Sequence, residues 1–227
     1  MNRRRFLAGT AITGVAALAG CLGGASDAGS PETNGETTTT ETSKTHPALE
    51  HIDVQPILGS VDQEALIVAY EDPSCPTCRR FEQNTFPELK ATHIDTGNVA
   101  FAFRVYPIIY PWGEPAVQAL EATYARDEGA FWTLKDHYYA DQSSFAEANV
   151  LERTEQFLAD ATDVDAAAVV SDAREKVYDD AVQLDLSSGK AAGASATPTF
   201  YLFLDGEFQT QIQGAQDVRV FENALQL

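Results

Sequence analysis

The sequence predicts an α/β domain in which a central mixed β-sheet is interrupted by an inserted block of helices. Residues 65–70 (ALIVAY) form a continuous apolar segment with the length of a buried central strand, and residues 99–105 (VAFAFRV) predict a second buried strand. A helical pattern lies between them, and this strand–helix–strand order implies a parallel pair with a right-handed crossover. From about residue 113 to residue 192 the apolar periodicity is helical, and strand patterns then return.

The helix after the first strand is predicted to begin at Pro76, because the missing N–H of a proline costs nothing in the first turn. Phe81, Thr85 and Leu89 share one face of this helix. Pro87 removes a backbone donor and clashes with the preceding turn, so it should kink the helix or end it.

Four stripes at helical spacing predict core-facing helices in the insertion. They are Val117, Leu120 and Tyr124; Phe131, Leu134 and Tyr138; Val150, Thr154, Phe157, Leu158 and Ala161; and Ala173, Val177, Ala181 and Leu184. Beyond the insertion, residues 199–204 and 209–213 predict two strands joined by Asp205-Gly206, a dipeptide typical of tight hairpins. Residues 217–227 predict a short closing helix.

The N-terminus has the layout of an export signal. Arg3, Arg4 and Arg5 precede a mildly apolar stretch, residues 6–20, which is too short to span a hydrocarbon core of about 30 Å. The segment 3–7 (RRRFL) resembles a twin-arginine signal, and 18–21 (LAGC) resembles the site at which lipoproteins are cleaved and lipidated. We therefore expect residues 1–20 to be removed and Cys21 to carry lipid. The alternative is a short N-terminal helix with an incidental cysteine.

Residues 21–46 are predicted to be a disordered tether behind the lipidated cysteine. This segment is rich in Thr, Ser, Gly and acidic residues, and it lacks the apolar surface needed to offset chain entropy. Residues 47–227 are then one folded domain, with the helical insertion at about 113–192.

Acidic residues outnumber Lys plus Arg by 34 to 15, which gives a net charge of −19. This excess argues against binding to nucleic acid, which requires a basic surface. The acids are scattered, which favours a self-repelling surface suited to the concentrated salt in which a halophile lives. The alternative is an interaction surface for basic partners.

The sequence Cys75-Pro76-Thr77-Cys78 is the motif with the most definite chemistry. Two intervening residues let both sulfurs meet across one helical turn and form a reversible disulfide. Cys75 lies at the predicted helix N-terminus, where unpaired N–H groups and the helix dipole favour a thiolate. Cys78 lies deeper and is placed to resolve a mixed disulfide. Arg79 carries a positive charge that would also favour a nearby thiolate.

Two other interpretations of a C-x-x-C pair stay open from the residues alone. A zinc site needs about four ligands, and His51, His93 and His137 lack ligand spacing from one another, so no metal is expected. A permanent structural disulfide is the second alternative. It would be a poor staple, because so short a loop removes little entropy from the unfolded chain.

The chain resembles the DsbA-like thiol:disulfide oxidoreductases of the thioredoxin superfamily over residues 54–227. The matching segments are 70–81 (YEDPSCPTCRRF) with 86–89 (FPEL), 104–107 (RVYP), 129–132 (GAFW) with 136–137 (DH), and 193–200 (GASATPTF). The resemblance implies a thioredoxin-like fold, with Cys75 and Cys78 as the catalytic pair and no dissociable cofactor. It also implies a cis Thr197–Pro198 bond, with Thr197 and Pro198 lining the substrate groove.

The chain departs from the family at three points. Pro76-Thr77 replaces the Pro-His of DsbA, and this dipeptide tunes the redox potential, so Pro76, Thr77 and Arg79 are candidate thiolate-tuning residues. Ala69 stands where DsbA places an acid beneath the cysteines. Ala196 replaces the usual glycine before Thr-Pro.

The sequence thus predicts an extracytoplasmic thiol:disulfide oxidoreductase anchored by lipid to the outer face of the cytoplasmic membrane. Its partners would be exported proteins with thiols or disulfides, together with a protein that recycles its redox state. Two alternatives are a non-catalytic binding protein with a static disulfide and a reductase for cytochrome or metal-centre maturation.

Overall fold

A mixed five-stranded sheet forms the centre of residues 46–227, the part of the chain that the computed structural model describes. Its strands are β1 (Ile57–Leu58), β2 (Ala65–Glu71), β3 (Val99–Val105), β4 (Thr199–Leu204) and β5 (Glu207–Gln213), in the order β1-β3-β2-β4-β5. β2 and β3 are parallel, and the other neighbouring pairs are antiparallel. The four predicted strands are confirmed. β1 has two residues, too few for a periodic signal.

The sheet separates two apolar layers, which explains why β2 and β3 are buried along their whole length. On one side, alternate residues such as Ile67 and Phe101 join the larger cluster with the helices. On the other side, their neighbours Val68 and Ala100 join a smaller cluster. A strand that buries both faces needs a nearly continuous apolar sequence, which β2 has apart from Glu71 and β3 has apart from Arg104.

The crossover from β2 to β3 contains two short helices, α1 (Pro76–Asn84) and α2 (Phe86–Leu89), and a π-helical turn (Lys90–Ile94). α1 ends at Asn84 and a single residue separates it from α2, because Pro87 has no N–H to continue the backbone hydrogen bonds of the helix. Thr85 fills the break and donates its hydroxyl to the carbonyl of Gln216, 2.6 Å away. The predicted effect of Pro87 is confirmed.

Five helices form the insertion between β3 and β4. They are α3 (Gly113–Tyr124), α4 (Glu128–Ala140), α5 (Val150–Ala161), α6 (Ala166–Glu175) and α7 (Asp179–Ala192). The fourth predicted stripe is wrong, because Lys176 adopts a left-handed conformation and closes α6. Val177 is consequently 55% exposed rather than part of the core. In the third stripe, Ala161 is exposed at the end of α5.

The chain ends in the predicted hairpin and a closing helix, α8 (Val218–Leu225). Asp205 and Gly206 have φ values of 51° and 77°, as a tight hairpin turn requires. Asp217 caps α8, and its carboxylate accepts a hydrogen bond from the N–H of Arg219. Gln226 adopts a left-handed conformation, so the helix ends at Leu225, two residues before the predicted limit.

The predicted signal segment (1–20), the lipidation site Cys21 and the tether as far as residue 45 lie outside the described residues. His46, the last residue of the predicted tether, stacks on Phe208 with ring centroids 4.6 Å apart. Within residues 46–227, every helix falls short of the length and apolarity needed to cross a membrane.

Candidate active site

Cys75 is the N-cap of α1, at the turn that follows β2. Its backbone is extended, with φ −78° and ψ 120°, and Pro76 is the first helical residue. The Cys75 sulfur accepts a hydrogen bond from the N–H of Cys78 at 3.4 Å. It therefore lies at the positive end of the helix dipole, as the sequence predicts.

The surroundings of Cys75 favour its ionised form. The thiol of Cys78, which hydrogen-bonds the Cys75 sulfur, is the largest influence that lowers the pKa of Cys75, to about 6. The side chain of Thr197 and the N–H groups of Cys78 and Thr77 lower this pKa further, whereas burial opposes them. When protonated, the Cys75 thiol donates to the carbonyl of Thr197 at 3.3 Å.

Cys78 differs from Cys75 in both burial and acidity. Its side chain is fully buried, and Cys75 retains 3% exposure. Burial raises the pKa of Cys78 well above its usual value, and its hydrogen bond to Cys75 raises that pKa further. The pair thus contains one thiol poised to ionise and one held neutral.

The loop before β4 lies against the Cys75 sulfur. The Thr197–Pro198 peptide bond is cis, as the resemblance implies. The carbonyl of Pro198 accepts a hydrogen bond from Gly214 at 2.8 Å, and the hydroxyl of Thr199 donates to the carbonyl of Ala196 at 2.7 Å. These bonds hold Thr197 and Pro198 beside Cys75.

Two polar residues outside the predicted set of site residues support the turn that carries Cys75. Asp72 accepts hydrogen bonds from the N–H and hydroxyl of Ser74 at 2.7 and 2.6 Å, and from the N–H groups of Ile108 and Ile109 at 2.9 and 2.8 Å. Gln142 lies in the turn after α4, within the insertion, and its side-chain amide donates to the carbonyls of Pro73 and Cys75 in the active-site turn. Asp72 belongs to the segment 70–81 that resembles the DsbA-like active site, so its position could have drawn attention to it. No local sequence pattern points to Gln142.

Arg79, a predicted thiolate-tuning residue, makes its hydrogen bond with the helical insertion. Its guanidinium is directed toward α4 and donates to the carbonyl of Ala140 at 3.4 Å. The strongest influences that lower the pKa of Cys75 include the main chain of Thr77 and do not include Arg79. The physical reason is that Arg79 projects sideways from the first turn of α1, toward the insertion.

A buried acid lies beneath the cysteines even though Ala69 does not supply one. Glu71, two residues along the same face of β2, is fully buried and lies against Glu82 and Tyr139 without a well-aligned hydrogen bond to either. Burial raises the pKa of Glu71, and the charge of Glu82 raises it further. The Nζ of Lys135 lies 2.5 Å from Glu82 Oε2. We call Glu71, Glu82, Lys135 and Tyr139 the buried polar cluster.

A cavity of about 480 Å³ opens beside Cys75. It is bounded by side chains of the active-site turn, the loop before α3 and the turn after α4, among them Pro76, Tyr110, Trp112 and Phe145. Ile108, Ile109 and Tyr110 continue it as an exposed apolar surface. Residues 46–227 hold no group of three or more His, Cys, Asp or Glu side chains arranged to bind a metal ion.

The helical insertion between β3 and β4 and the C-x-x-C pair facing a cis-proline define a thioredoxin-fold protein with a DsbA-like structure. The family model described as "Thioredoxin" (Thioredoxin_4) matches residues 52–225, and the chain belongs to this family.

Relatives with assigned names share parts of the chain. The "Probable disulfide bond formation protein D" of Bacillus cereus is 33% identical over 98 residues, 43% of this chain and 45% of that protein. The chain thus matches less than half of that relative's length. "Disulfide bond formation protein D" of Bacillus subtilis is 25% identical over 149 residues, 65% of this chain and 67% of that protein.

The crystal structure of oxidised BdbD from Bacillus subtilis has the same fold. It superposes with a TM-score of 0.70 at 22% identity, over 77% of this chain and 92% of that one.

Proposed function

We propose that this protein is an extracytoplasmic thiol:disulfide oxidoreductase that exchanges disulfides with exported proteins through Cys75 and Cys78. The observation that carries the proposal is the asymmetry of the pair, in which the pKa of Cys75 is lowered to about 6 and that of Cys78 is raised. Exchange requires one thiolate that can attack or leave and one shielded thiol that resolves the intermediate. The names of the Bacillus relatives support this assignment.

The proposed reaction transfers one disulfide and two electrons. A substrate thiolate attacks the Cys75 sulfur of the oxidised pair, which breaks the Cys75–Cys78 bond and leaves Cys78 to take up a proton. A second substrate thiolate attacks the substrate sulfur of this mixed disulfide and releases Cys75 as a thiolate. The substrate gains a disulfide, and the protein becomes a dithiol.

We propose that disulfide donation is the favoured direction. A stabilised Cys75 thiolate is a good leaving group, and its stabilisation favours the reduced form of the protein. A separate redox partner must then accept two electrons from the dithiol to restore the disulfide. In this scheme Thr197 and Pro198 line the groove that receives the substrate segment next to its cysteine.

The reduction potential tests the proposed function. At equilibrium with glutathione buffers, a disulfide donor should have a potential far above about −300 mV, the upper range of structural disulfides. Separation of the reduced and oxidised forms after acid quenching gives this value directly. A potential below about −300 mV would instead support a static disulfide in a non-catalytic binding protein.

We further propose that the mature protein is held at the outer face of the cytoplasmic membrane by lipid on Cys21. A single acyl chain binds a membrane only marginally, so stable anchoring requires two chains or a second signal. Cys21→Ser should release the protein from the membrane fraction, with Cys75→Ser as a matched cysteine control that stays bound. Wild-type protein recovered in soluble form with residue 1 intact would contradict this proposal.

The net charge of −19 leads us to propose adaptation to concentrated salt. Repulsion among surface carboxylates should destabilise the fold at low ionic strength, and molar salt screens it over about 3 Å. The melting temperature should therefore rise substantially between dilute buffer and molar potassium chloride, as followed by circular dichroism. An unchanged melting temperature would favour the alternative, a surface for basic partners.

A further inference from the structure

The turn after α4 contacts the active-site turn through one side chain. Gln142 lies in the 3-10 turn Gln142–Ser144 and is 8% exposed. Its amide nitrogen donates to the carbonyl of Pro73 at 2.7 Å and to the carbonyl of Cys75 at 3.0 Å. A primary amide has two N–H donors, so one side chain satisfies both carbonyls.

These two carbonyls lie at the point where the chain reverses from β2 into α1. The Cys75 carbonyl also accepts the N–H of Arg79 at 3.1 Å, which is the first backbone hydrogen bond of α1. The amide of Gln142 therefore acts on the peptide unit that orients the N-cap. The Cys75 sulfur depends on this orientation to reach the N–H of Cys78.

The same turn is held independently from its other side. Asp72 bonds Ser74 and the N–H groups of Ile108 and Ile109, which belong to the loop that follows β3. Ser74 in turn accepts the N–H of Tyr110 at 3.0 Å. Loss of Gln142 would leave the turn attached on the Asp72 side and free to shift on the side of the insertion.

We propose that Gln142 is a positioning residue through which the helical insertion holds the Cys75 sulfur over the first turn of α1 and thereby sets the balance between the dithiol and the disulfide. This inference rests on the proposed function, since it concerns the same pair of thiols. It assigns the insertion a direct influence on the redox chemistry of the sheet domain. A carboxylate could not replace the amide, because an ionised carboxylate has no hydrogen to donate to two carbonyls.

Gln142→Met tests the proposal because methionine has a similar volume and no strong donor. Two quantities are measured on the reduced full-length protein: the midpoint of thiolate absorbance for Cys75 and the equilibrium constant with glutathione. If the sulfur loses one hydrogen bond to its charged form, the midpoint should rise by about one pH unit. The equilibrium at neutral pH should then shift about fivefold toward the disulfide.

Gln118→Met is the matched control. Gln118 is also a buried glutamine of the insertion, and its amide donates to Asp179 at 2.7 Å rather than to the active-site turn. This variant should leave the thiolate midpoint and the glutathione equilibrium unchanged, even if it lowers the free energy of unfolding as much as Gln142→Met does. Equal shifts in both variants would overturn the proposal.

Gln142→Asn provides the second variant, which retains an amide but withdraws it by one methylene. It should shift the thiolate midpoint and the glutathione equilibrium in the same direction as Gln142→Met does, but by less. If Gln142→Met does not fold, Gln142→Asn replaces it in both measurements. Unchanged values in a folded Gln142 variant would overturn the role of Gln142. A wild-type protein without a reversible dithiol–disulfide equilibrium would instead overturn the proposed function.

Discussion

Cys78→Ser should trap exported proteins as mixed disulfides on Cys75, whereas Cys75→Ser should trap few or none. Cys75 lies at the N-terminus of α1 with a pKa lowered to about 6, so we expect it to be the attacking and the leaving sulfur at neutral pH. Cys78 is fully buried and its pKa is raised, so it can resolve the intermediate but cannot reach an external disulfide. Non-reducing electrophoresis with mass spectrometry of the trapped species measures the difference.

Pro198→Thr extends this experiment to the substrate groove. The cis-proline loop lies against the Cys75 sulfur, so a changed residue there should slow release and prolong the mixed disulfide. Equal trapping through both cysteines would remove the separate roles assigned to them. Absence of trapping, together with a wild-type disulfide inert to dithiothreitol, would support a static disulfide.

Lys135→Met should lower the free energy of unfolding by about 3–5 kcal/mol, because it leaves a buried charge without its partner. Lys135 is fully buried, and its Nζ lies 2.5 Å from Glu82 and 3.1 Å from Asp136. Glu82 and Glu71 are both buried nearby, so Lys135 is the cation that the buried polar cluster holds between two carboxyls. Urea denaturation of the reduced protein measures the change.

The pH dependence distinguishes this loss of charge pairing from a simple packing defect. The folded-state pKa of Glu71 is raised above its unfolded value, mainly by burial, so the folded protein holds this proton more tightly. Stability contributed by protonated Glu71 is present below the usual carboxyl range and is lost as pH rises through the raised pKa. The loss of unfolding free energy caused by Lys135→Met should therefore grow as the pH rises.

Glu71→Gln is the matched control within the same cluster. It preserves the size of the side chain and removes the ionisable group, so its stability relative to the wild type should increase as pH rises. Denaturation at about pH 5 and about pH 9 separates the two variants. A pH-independent cost for Lys135→Met would show that packing, rather than charge, accounts for the loss.

The elements predicted from the sequence are those that local pattern determines. β2 and β3 required only predominantly apolar segments, and the interruption before α2 required only Pro87. The wrong stripe across Lys176 shows the limit of periodicity, since residues with helical spacing continued past a point where the backbone turns.

The cysteine pair was predictable because its chemistry depends on four adjacent residues and a helix start. Gln142 and Lys135 reach the site from the insertion, far away in sequence, and a single sequence gives no sign of such a contact. Glu71 was overlooked because the resemblance directed attention to Ala69. In a strand, residues two apart share a face, so the acid occupies the same side from a shifted position.

The central strand β2 has neighbours from opposite ends of the domain. It pairs with β3 nearby in the chain, but with β4 only after about 130 intervening residues, so this pairing closes a long loop. The contact between Cys75 and Thr197 depends on that closure. During synthesis, Cys75 therefore leaves the ribosome together with Cys78 and Thr77 but well before Thr197, so one of the groups that lower its pKa arrives last. The full surroundings of the Cys75 sulfur are therefore assembled only when the last strands join the sheet.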